Sequence, residues 1–331
     1  MRRFLLILIL AGVALVVSLG GAGAWWLHQP LALVGDSVEL AIEPGSSGRA
    51  TAQAVAEAGV KVNPSWLFAW FRLSGDARKI KAGNYEITRG MTPRSLLHTL
   101  VQGEETLLTV TLVEGWTFIQ IRAALARAEH LKPATQALDA DAVMAQLGRA
   151  GVPAEGRFFP DTYSYAKGSS DLNLLKRALH AMDKRLAAAW EVRAPDTPLK
   201  SPEQALTLAS IIEKETGKGA DRPLIGGVFN NRLKIGMLLQ TDPTVIYGMG
   251  DKFDGNLRKR DLQTDTPWNT YTRAGLPPTP IAMPGKAALL AAVQPAPTKA
   301  LYFVARGDGS SQFSATLDEH NRAVNKYQRG K

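Results

Sequence analysis

The sequence predicts an α+β protein that begins with a transmembrane helix, and two features of its 331 residues carry this prediction. The first is an uncharged, mostly aliphatic run over residues 4–27, which is long enough to cross a hydrocarbon core ~30 Å thick. The second is the alternation of short strand patterns with amphipathic helix patterns along the rest of the chain. Apolar residues make up 45% of the chain and charged residues 21%, which is ordinary for a globular protein.

The apolar run is interpreted as a retained anchor with the N-terminus in the cytoplasm, because Arg2 and Arg3 precede it. Trp25 and Trp26 end the run, and tryptophan favours the membrane–water interface. The alternative is a cleaved signal peptide, since residues 22–24 (AGA) resemble a cleavage site, but the apolar region of a signal is usually only ~7–15 residues long. The anchor places the remainder outside the cytoplasm and excludes nucleic acid as a partner.

Charge and residue usage exclude several kinds of chemistry. The chain carries 39 Lys plus Arg against 30 Asp plus Glu, a net charge of +9 that suits a polyanion or a membrane surface without choosing between them. Because there is no cysteine, disulfides, iron–sulfur clusters and thiol nucleophiles are excluded. The five histidines include no HExxH motif and no pair at ligand spacing, which argues against a zinc enzyme. No cofactor is predicted.

After the anchor, three segments share one pattern: an alternating strand, a glycine turn and an amphipathic helix. The strands are predicted at residues 38–42, 84–88 and 108–112, and the helices at 51–59, 95–101 and 118–128. Their unequal spacing indicates related small β-α modules and not a solenoid, whose repeats need a fixed period. A long amphipathic helix is predicted at residues 172–190.

The helix after Ser201 is the best candidate for chemistry. Ser201 and Pro202 form a favourable start, and glycines follow the end of the pattern. At 100° per residue, Glu215 flanks the apolar stripe 60° from Ile212, whereas Glu213 lies on the opposite flank. Partial burial and the negative end of the helix dipole both raise the pKa of a carboxyl in the last turn, as a general acid requires. A solvated glutamate–lysine–glutamate cluster is the competing interpretation.

Several longer motifs follow one another along the chain. They are FPDTY at 159–163, LASIIEKET at 208–216, VFNNRL at 228–233, LQTDPTVIYG at 239–248, NTY at 269–271, GLPP at 275–278 and IAMPG at 281–285. Together these motifs resemble the endolytic murein transglycosylase family (MltG, YceG-like). The resemblance covers nearly the whole chain, and the order and spacing of the motifs make it specific.

The resemblance implies a domain order and a reaction. It implies an anchor over residues 1–30, a LysM-like module over 31–105 and a mixed α/β catalytic domain over 106–331. The protein is then expected to be a single-pass inner-membrane protein with its C-terminal part in the periplasm. It would cut the bond from N-acetylmuramic acid to N-acetylglucosamine within peptidoglycan strands, leaving 1,6-anhydro ends. Cell-wall synthesis proteins become candidate partners.

The family's catalytic glutamate corresponds to the second glutamate of the EKET motif, which is Glu215. We expect Gln240 and Asn269 to hydrogen-bond sugar groups and Tyr247 and Tyr271 to offer sugar-facing rings. Tyr247 could equally be a core residue, because it lies in an apolar run. Asp242 is interpreted first as part of a helix start, with Pro243 in the first turn, and only second as a catalytic carboxylate.

Two other functions remain open from the sequence. One is a membrane-anchored peptidoglycan-binding scaffold without turnover. The other is a conventional glycoside hydrolase that pairs Glu215 with Asp242 or Glu213, since such enzymes use two carboxylates.

Overall fold

The computed structural model describes residues 12, 17–18, 20–43, 45–103, 108–165 and 168–330. The chain forms two compact units. Unit 1 comprises Met1–Leu108 with Ser164–Lys167, and unit 2 comprises Thr109–Tyr163 with Gly168–Lys331. The sheets in the described parts are small and two-stranded, and helices predominate. The predicted α+β class is therefore confirmed.

Most of the predicted membrane segment, residues 4–11, 13–16 and 19, lies outside the described residues. Residues 20–27 are helical. Among the residues that the structure describes, none of the helices combines the length and the apolar character that crossing a bilayer requires.

In unit 1, two helices lie between two strands in chain order, and the two strands pair with each other in space. Strands β1 and β2 are antiparallel, with Leu40 opposite Tyr85, and both of these side chains are buried. A buried core of aliphatic and aromatic side chains joins the sheet to the helices. The elements are β1 (Ser37–Ile42), α1 (Gly48–Glu57), α2 (Pro64–Leu73), β2 (Gly83–Thr88) and α3 (Pro93–Gln102).

Two features of unit 1 differ from the sequence analysis. Helix α2 was not predicted, because its residues are apolar on more than one side and show no simple amphipathic period. The three strand–glycine–helix segments are not equivalent either. The first two strands share one sheet, whereas β3 (Leu108–Thr111) pairs with β4 (Thr162–Tyr165). Backbone groups of a strand need a partner strand, and the sequence pattern does not say which one.

Unit 2 is mainly helical and carries a second small antiparallel sheet near its end, β5 (Tyr302–Ala305) with β6 (Ser311–Ser314). Its long helix α6 matches the predicted helix within one residue at each end. The helices are α4 (Phe118–Arg127), α5 (Ala140–Gln146), α6 (Asp171–Glu191), α7 (Pro202–Glu215), α8 (Arg222–Lys234), α9 (Asp242–Met249), α10 (Lys259–Gln263), α11 (Lys286–Val293) and α12 (Leu317–Gln328).

Helix α7 lies at the centre of unit 2 and packs against α6, α8 and α11. All its residues from Ala205 to Glu213 are buried, so this part of the helix is surrounded by protein on every side and is not amphipathic. Helix α8 approaches α11 closely, because a Cβ on Gly226 would lie 2.2 Å from the carbonyl oxygen of Ala291. The rigid packing of α7 sets the position of its C-terminal residue, Glu215.

Candidate active site

Helix α7 begins as the sequence predicts and ends at Glu215. The Ser201 hydroxyl accepts a hydrogen bond from the backbone N–H of Gln204 (3.3 Å), and Pro202 occupies the first turn. After Glu215 the backbone becomes extended at Thr216. The carboxyl group of Glu215 therefore lies where a buried helix emerges into a loop.

Glu215 is half-buried, and its carboxylate accepts a hydrogen bond from the hydroxyl of Thr241. Burial raises the pKa of Glu215 to about 7, and the negative charge of Asp242 acts in the same direction. The Thr241 hydrogen bond and the positive charge of Arg232 oppose this increase in pKa. A carboxyl with a pKa near neutrality can donate a proton and later accept one.

The backbone at Gln240 and Thr241, the segment that contacts Glu215, is strained and is held by hydrogen bonds. Gln240 has φ of 45°, a left-handed conformation that residues with side chains seldom adopt. Its backbone N–H donates to the carbonyl of Thr270 (3.0 Å), and the N–H of Thr241 donates to the Thr270 hydroxyl (3.1 Å). Strain of this kind persists only where the surroundings enforce it, and it concentrates at functional sites.

Thr241 precedes α9 at the position where a threonine usually caps a helix, and Pro243 follows in the first turn, as predicted. No side chain caps this helix. The Thr241 hydroxyl instead donates to Glu215, so a residue that the sequence marks as a structural cap belongs to the site. The exposed side chain of Gln240 lies next to it in the chain, where it can meet a ligand.

Arg232 brings a buried positive charge to the site. Its Nε donates to the carbonyl of Leu301 (2.7 Å) and its Nη1 to that of Leu239 (2.8 Å), while the guanidinium lies over the ring of Tyr302, 5.4 Å from its centre. Carbonyl groups satisfy the guanidinium without neutralising it, so its charge acts on Glu215. Because it binds Leu239, Arg232 also supports the turn that leads to Gln240 and Thr241.

Tyr271 and Asp242 form a second polar pair near Glu215. The Tyr271 hydroxyl donates to Oδ1 of Asp242 at 2.5 Å. Burial raises the pKa of Tyr271, and the charges of Asp242 and Glu215 raise it further, so the phenol keeps its proton. Asp242 is exposed, which leaves its second oxygen open to solvent or ligand.

Asn269 is 0% exposed, and its amide serves the loop around it. The Nδ2 group donates to the carbonyls of Thr264 (2.7 Å) and Leu262 (3.0 Å), and Oδ1 accepts from the N–H of Tyr271 (2.8 Å). The predicted hydrogen bond from Asn269 to a sugar would require this loop to open. In the structure, Asn269 positions Tyr271.

Tyr247 packs edge-on against Trp268, with the ring centres 5.5 Å apart, beside the main core. Its hydroxyl donates to a carboxylate oxygen of Glu155 (3.3 Å). Glu155 also accepts from the backbone N–H of Phe118 (3.1 Å), at the first residue of α4. Burial raises the pKa of Glu155 to about 7, and these hydrogen bonds oppose the increase. Glu155 thus links α4 to α9.

Glu213 is engaged in a different network. Its carboxylate accepts from the guanidinium of Arg222 (2.6 Å) and from the backbone N–H of Gly285 (2.8 Å). Glu114 lies 3.7 Å from the same guanidinium. Gly285 ends the IAMPG segment, and this segment makes a second hydrogen bond to α7, from the N–H of Ile281 to the Ser210 hydroxyl (3.0 Å). Glu213 therefore links the start of α8 and the loop at Gly285 to α7, and these contacts occupy its carboxylate.

Of the residues predicted from the sequence, Glu215, Gln240 and Tyr271 lie close together. Asn269 and Tyr247 instead make hydrogen bonds that hold the loop before Tyr271 and the helix α9. Sequence reasoning missed the roles of Thr241 and Arg232 beside Glu215, and that of Glu155 in supporting Tyr247. Arg232 could have been noticed as the charged residue in the otherwise neutral stretch IGGVFNNRL of α8. Glu155 belongs to the motif resemblance, but its role could not be predicted, because its partners Phe118 and Tyr247 are distant in sequence.

A half-buried glutamic acid with a near-neutral pKa, at the end of a rigid helix and among hydroxyl and guanidinium groups, is the kind of group that acid–base enzymes use. The chain belongs to the YceG-like family, whose model matches residues 40–326.

Relatives of known name agree with this assignment. The chain is 33% identical over 308 residues to an endolytic murein transglycosylase of Bacillus subtilis, covering 88% of this chain and 85% of the relative. It is 28% identical over 324 residues to an endolytic murein transglycosylase of Streptococcus pneumoniae, covering 87% of this chain but 58% of that protein. The crystal structure of a yceG-like protein from Listeria monocytogenes aligns with a TM-score of 0.56 at 30% identity, covering 87% of this chain and 98% of that one.

Proposed function

We propose that this protein is an endolytic murein transglycosylase, a lyase that cuts peptidoglycan glycan strands internally between N-acetylmuramic acid and N-acetylglucosamine. Membership of the YceG-like family and the names of the relatives support the reaction. The observation that carries the assignment of its catalytic residue is the position of Glu215 at the end of the buried helix α7, beside Thr241 and Arg232, where burial raises its pKa to about 7.

In the first step, protonated Glu215 donates its proton to the glycosidic oxygen that becomes O4 of N-acetylglucosamine. The bond from this oxygen to C1 of N-acetylmuramic acid breaks, and positive charge develops on the muramyl ring. The negative charge of Asp242 favours the protonated form of Glu215 before the step.

In the second step, the Glu215 carboxylate accepts the proton of the C6 hydroxyl of N-acetylmuramic acid. The C6 oxygen then forms a bond to C1 and closes the 1,6-anhydro ring. Water is not consumed, and Glu215 ends protonated as it began. The Thr241 hydrogen bond and the charge of Arg232 stabilise the intermediate carboxylate, since both favour the ionised form.

The remaining polar groups have supporting roles in this proposal. The exposed amide of Gln240 is placed to hydrogen-bond a sugar hydroxyl or acetamido group. Tyr271 keeps Asp242 in position through its hydroxyl and presents a half-buried ring beside the site. Asn269 and Tyr247 act through the loop and the helix that they hold.

Analysis of the glycan products by mass spectrometry tests the proposal. We expect anhydro-ended fragments from the intact protein and a loss of at least ~10²-fold in rate for Glu215→Gln, which keeps the shape of the side chain but removes its transferable proton. Glu203→Gln, an exposed glutamate in the first turn of the same helix, is the matched control and should retain its rate.

The same assay separates the alternatives. Reducing ends in place of anhydro ends would identify a conventional hydrolase. Binding of glycan without any product would identify a scaffold. Full turnover by a folded Glu215→Gln variant would show that the acid–base residue has been misassigned.

We further propose that residues 4–27 anchor the protein in the inner membrane, with the N-terminus in the cytoplasm and residues 29–331 in the periplasm. The uncharged run, the preceding arginines and the tryptophans at its end support this topology. A reporter fused after Lys331 that functions only outside the cytoplasm should be active. A mature protein that begins near Trp25 would show instead that the segment is removed.

We also propose that unit 1 contains a LysM-like glycan-binding module over residues 31–105. Its two antiparallel strands enclose a pair of helices in a small domain with its own core. Unit 2 is then the catalytic domain, because it carries Glu215. Cell-wall synthesis proteins remain candidate partners.

A further inference from the structure

Helix α2 of unit 1 has two apolar faces. The inner face enters the core through Leu67 and Phe71, both 0% exposed. On the outer face, Trp66 is 64% exposed and Leu73 is 84% exposed. Residues spaced by three, four and seven positions lie on one side of a helix, so these two belong to a continuous stripe. This outer stripe consists of the exposed Trp66, Ala69 and Leu73 together with Trp70, which is half-buried against the core and lines the groove beside them.

A groove of about 610 Å³ runs along the outer stripe. Its other wall is the helical stretch over residues 20–27, which is the last part of the uncharged run. All its lining residues are glycine, alanine, leucine or tryptophan. Trp26 contacts Trp66 edge-on across the groove, with ring centres 6.3 Å apart. The groove therefore continues the surface of the predicted membrane segment onto unit 1.

A short connection keeps unit 1 close to the end of the run. Leu31 is buried in unit 1, and its backbone N–H donates to the carbonyl of Met91 (2.7 Å). Leu33 forms a β-bridge with Val60. Four residues span at most ~14 Å, so Leu31 must lie within about that distance of Leu27. If Leu27 lies at the surface of a bilayer, α2 cannot be far from it.

We propose that the outer stripe of α2 lies in the membrane interface and contacts phospholipid directly, as a second attachment beside the anchor. The proposal rests on the proposed membrane topology. Tryptophan side chains favour the interface between lipid and water, and Leu73 would enter the acyl region. Arg72, the only charged residue of α2, is exposed and can pair with lipid phosphate.

Contact at two places would restrict how unit 1 tilts on its anchor, because a single flexible connection leaves the tilt free. An apolar stripe of this kind in contact with water would otherwise be unfavourable and unusual for a soluble surface. A second copy of the chain or the transmembrane helix of another protein would be alternative partners for the stripe. The experiment excludes both by using one copy of the protein alone, so that it tests lipid contact directly.

Site-directed spin labelling suits this protein because the sequence contains no cysteine. The full-length protein is reconstituted, one copy per nanodisc, in a mixture of phosphatidylethanolamine and phosphatidylglycerol. A nitroxide is attached in turn to Leu73→Cys and Ala69→Cys on the stripe, to Gln53→Cys on the exposed side of α1 and to Val17→Cys in the predicted anchor. Accessibility of each label to oxygen, which concentrates in lipid, is compared with accessibility to a water-soluble nickel chelate.

We expect the labels on Leu73→Cys and Ala69→Cys to favour oxygen, as the Val17→Cys label does, and the Gln53→Cys label to favour the nickel chelate. If the stripe labels behave like Gln53→Cys while the Val17→Cys label is in lipid, the interfacial contact is wrong although the anchor stands. Protection of the stripe from both reagents would overturn the proposal, because it would show that the stripe packs against protein within the single copy and not against lipid. A Val17→Cys label in water would overturn both anchor and contact. The glycan-product assay on the same nanodiscs reports the proposed reaction separately.

Discussion

At the scale of single residues, the ionisation of Glu215 is the property that connects structure to reaction. Burial raises its pKa, while Thr241 and Arg232 keep the carboxylate form accessible. An acid that must become a base within one cycle needs both influences, because either one alone would favour a single protonation state. The acid step requires the proton, so kcat/KM should decline as the pH rises through about 7, the pKa of Glu215.

We expect Thr241→Val to raise the pKa of Glu215 further, since it removes the hydrogen bond that stabilises the carboxylate. The decline of kcat/KM should move to higher pH, and kcat should fall about tenfold or more, the value of one hydrogen bond to a charged group. Kinetics on defined glycan chains across pH measures both effects.

Thr241→Ser keeps the hydroxyl and should restore the original profile. Thr207→Val is a control, because Thr207 is another buried threonine of unit 2 and its hydroxyl bonds only to the backbone of α7. An unchanged pH profile in Thr241→Val would show that this hydroxyl does not influence Glu215.

The raised pKa of Glu155 predicts how the stability of the folded protein depends on pH. Its pKa in the folded protein, about 7, is raised above the ordinary value of 4.5. The folded state therefore binds more protons than the unfolded state between these values, so this contribution is complete below the lower pKa and is lost as the pH rises through the higher one. We expect Tm to fall from about pH 5 to about pH 8 and the fall to be smaller in Glu155→Gln.

Thermal unfolding followed by circular dichroism measures this difference. Glu203→Gln is the control, because that glutamate is exposed. Some fall should remain in Glu155→Gln, since burial also raises the pKa of Glu213 and of Glu215. Equal slopes for Glu155→Gln and the unaltered protein would contradict the assignment.

At the scale of elements, the site depends on how closely α7, α8 and α11 pack. Gly226 allows α8 to approach Ala291 of α11, and the neighbouring Asn230 donates its amide to the carbonyls of Gly226 (2.8 Å) and Ala292 (3.1 Å). Arg232 lies on the same helix, so the separation of α8 and α11 also influences where its charge lies. Packing of helices and electrostatics of the site are thus connected through α8.

We expect Gly226→Ala to destabilise unit 2 by about 1–3 kcal/mol, the usual cost of overfilling a packed core. A Cβ at this position would overlap the carbonyl oxygen of Ala291 at 2.2 Å, and backbone cannot move aside easily. Chemical denaturation measures the free energy of unfolding. Gly219→Ala serves as the control, because a Cβ there would have no neighbour within 4 Å.

At the scale of the whole molecule, the chain divides into a small unit with its own core and a larger helical unit that contains Glu215. Separate cores allow the two parts to serve different purposes, such as holding the glycan and cutting it. The proposed anchor and the apolar stripe of α2 would both place unit 1 at the membrane.

Deletion of residues 38–103 tests this division of roles. We expect digestion of intact sacculi to fall, because long strands would no longer be held, while turnover of short glycan fragments continues. Circular dichroism of the shortened protein should show that the helices of unit 2 are retained. Unchanged activity on sacculi would exclude a role of unit 1 in binding glycan.

The sequence by itself determined the elements whose signals are local. The strand at residues 38–42, the long helix α6 and the capped start of α7 each follow from periodicity or from a few adjacent residues, and the structure contains all three. The position of Glu215 in the last turn of α7 could be predicted for the same reason, whereas the burial of the helix on all sides could not, because the pattern showed one apolar stripe. The motif resemblance identified the family.

Only the tertiary structure decided which distant groups meet. Strand β3 pairs with β4, about fifty residues away. Glu155 contacts Phe118 and Tyr247, which are 37 and 92 residues from it in the sequence. The hydroxyl of Thr241 could have capped its own helix but bonds to Glu215. Hydrogen-bonding groups accept any suitable partner, so the choice among partners follows from the packing of whole helices, which no local pattern encodes.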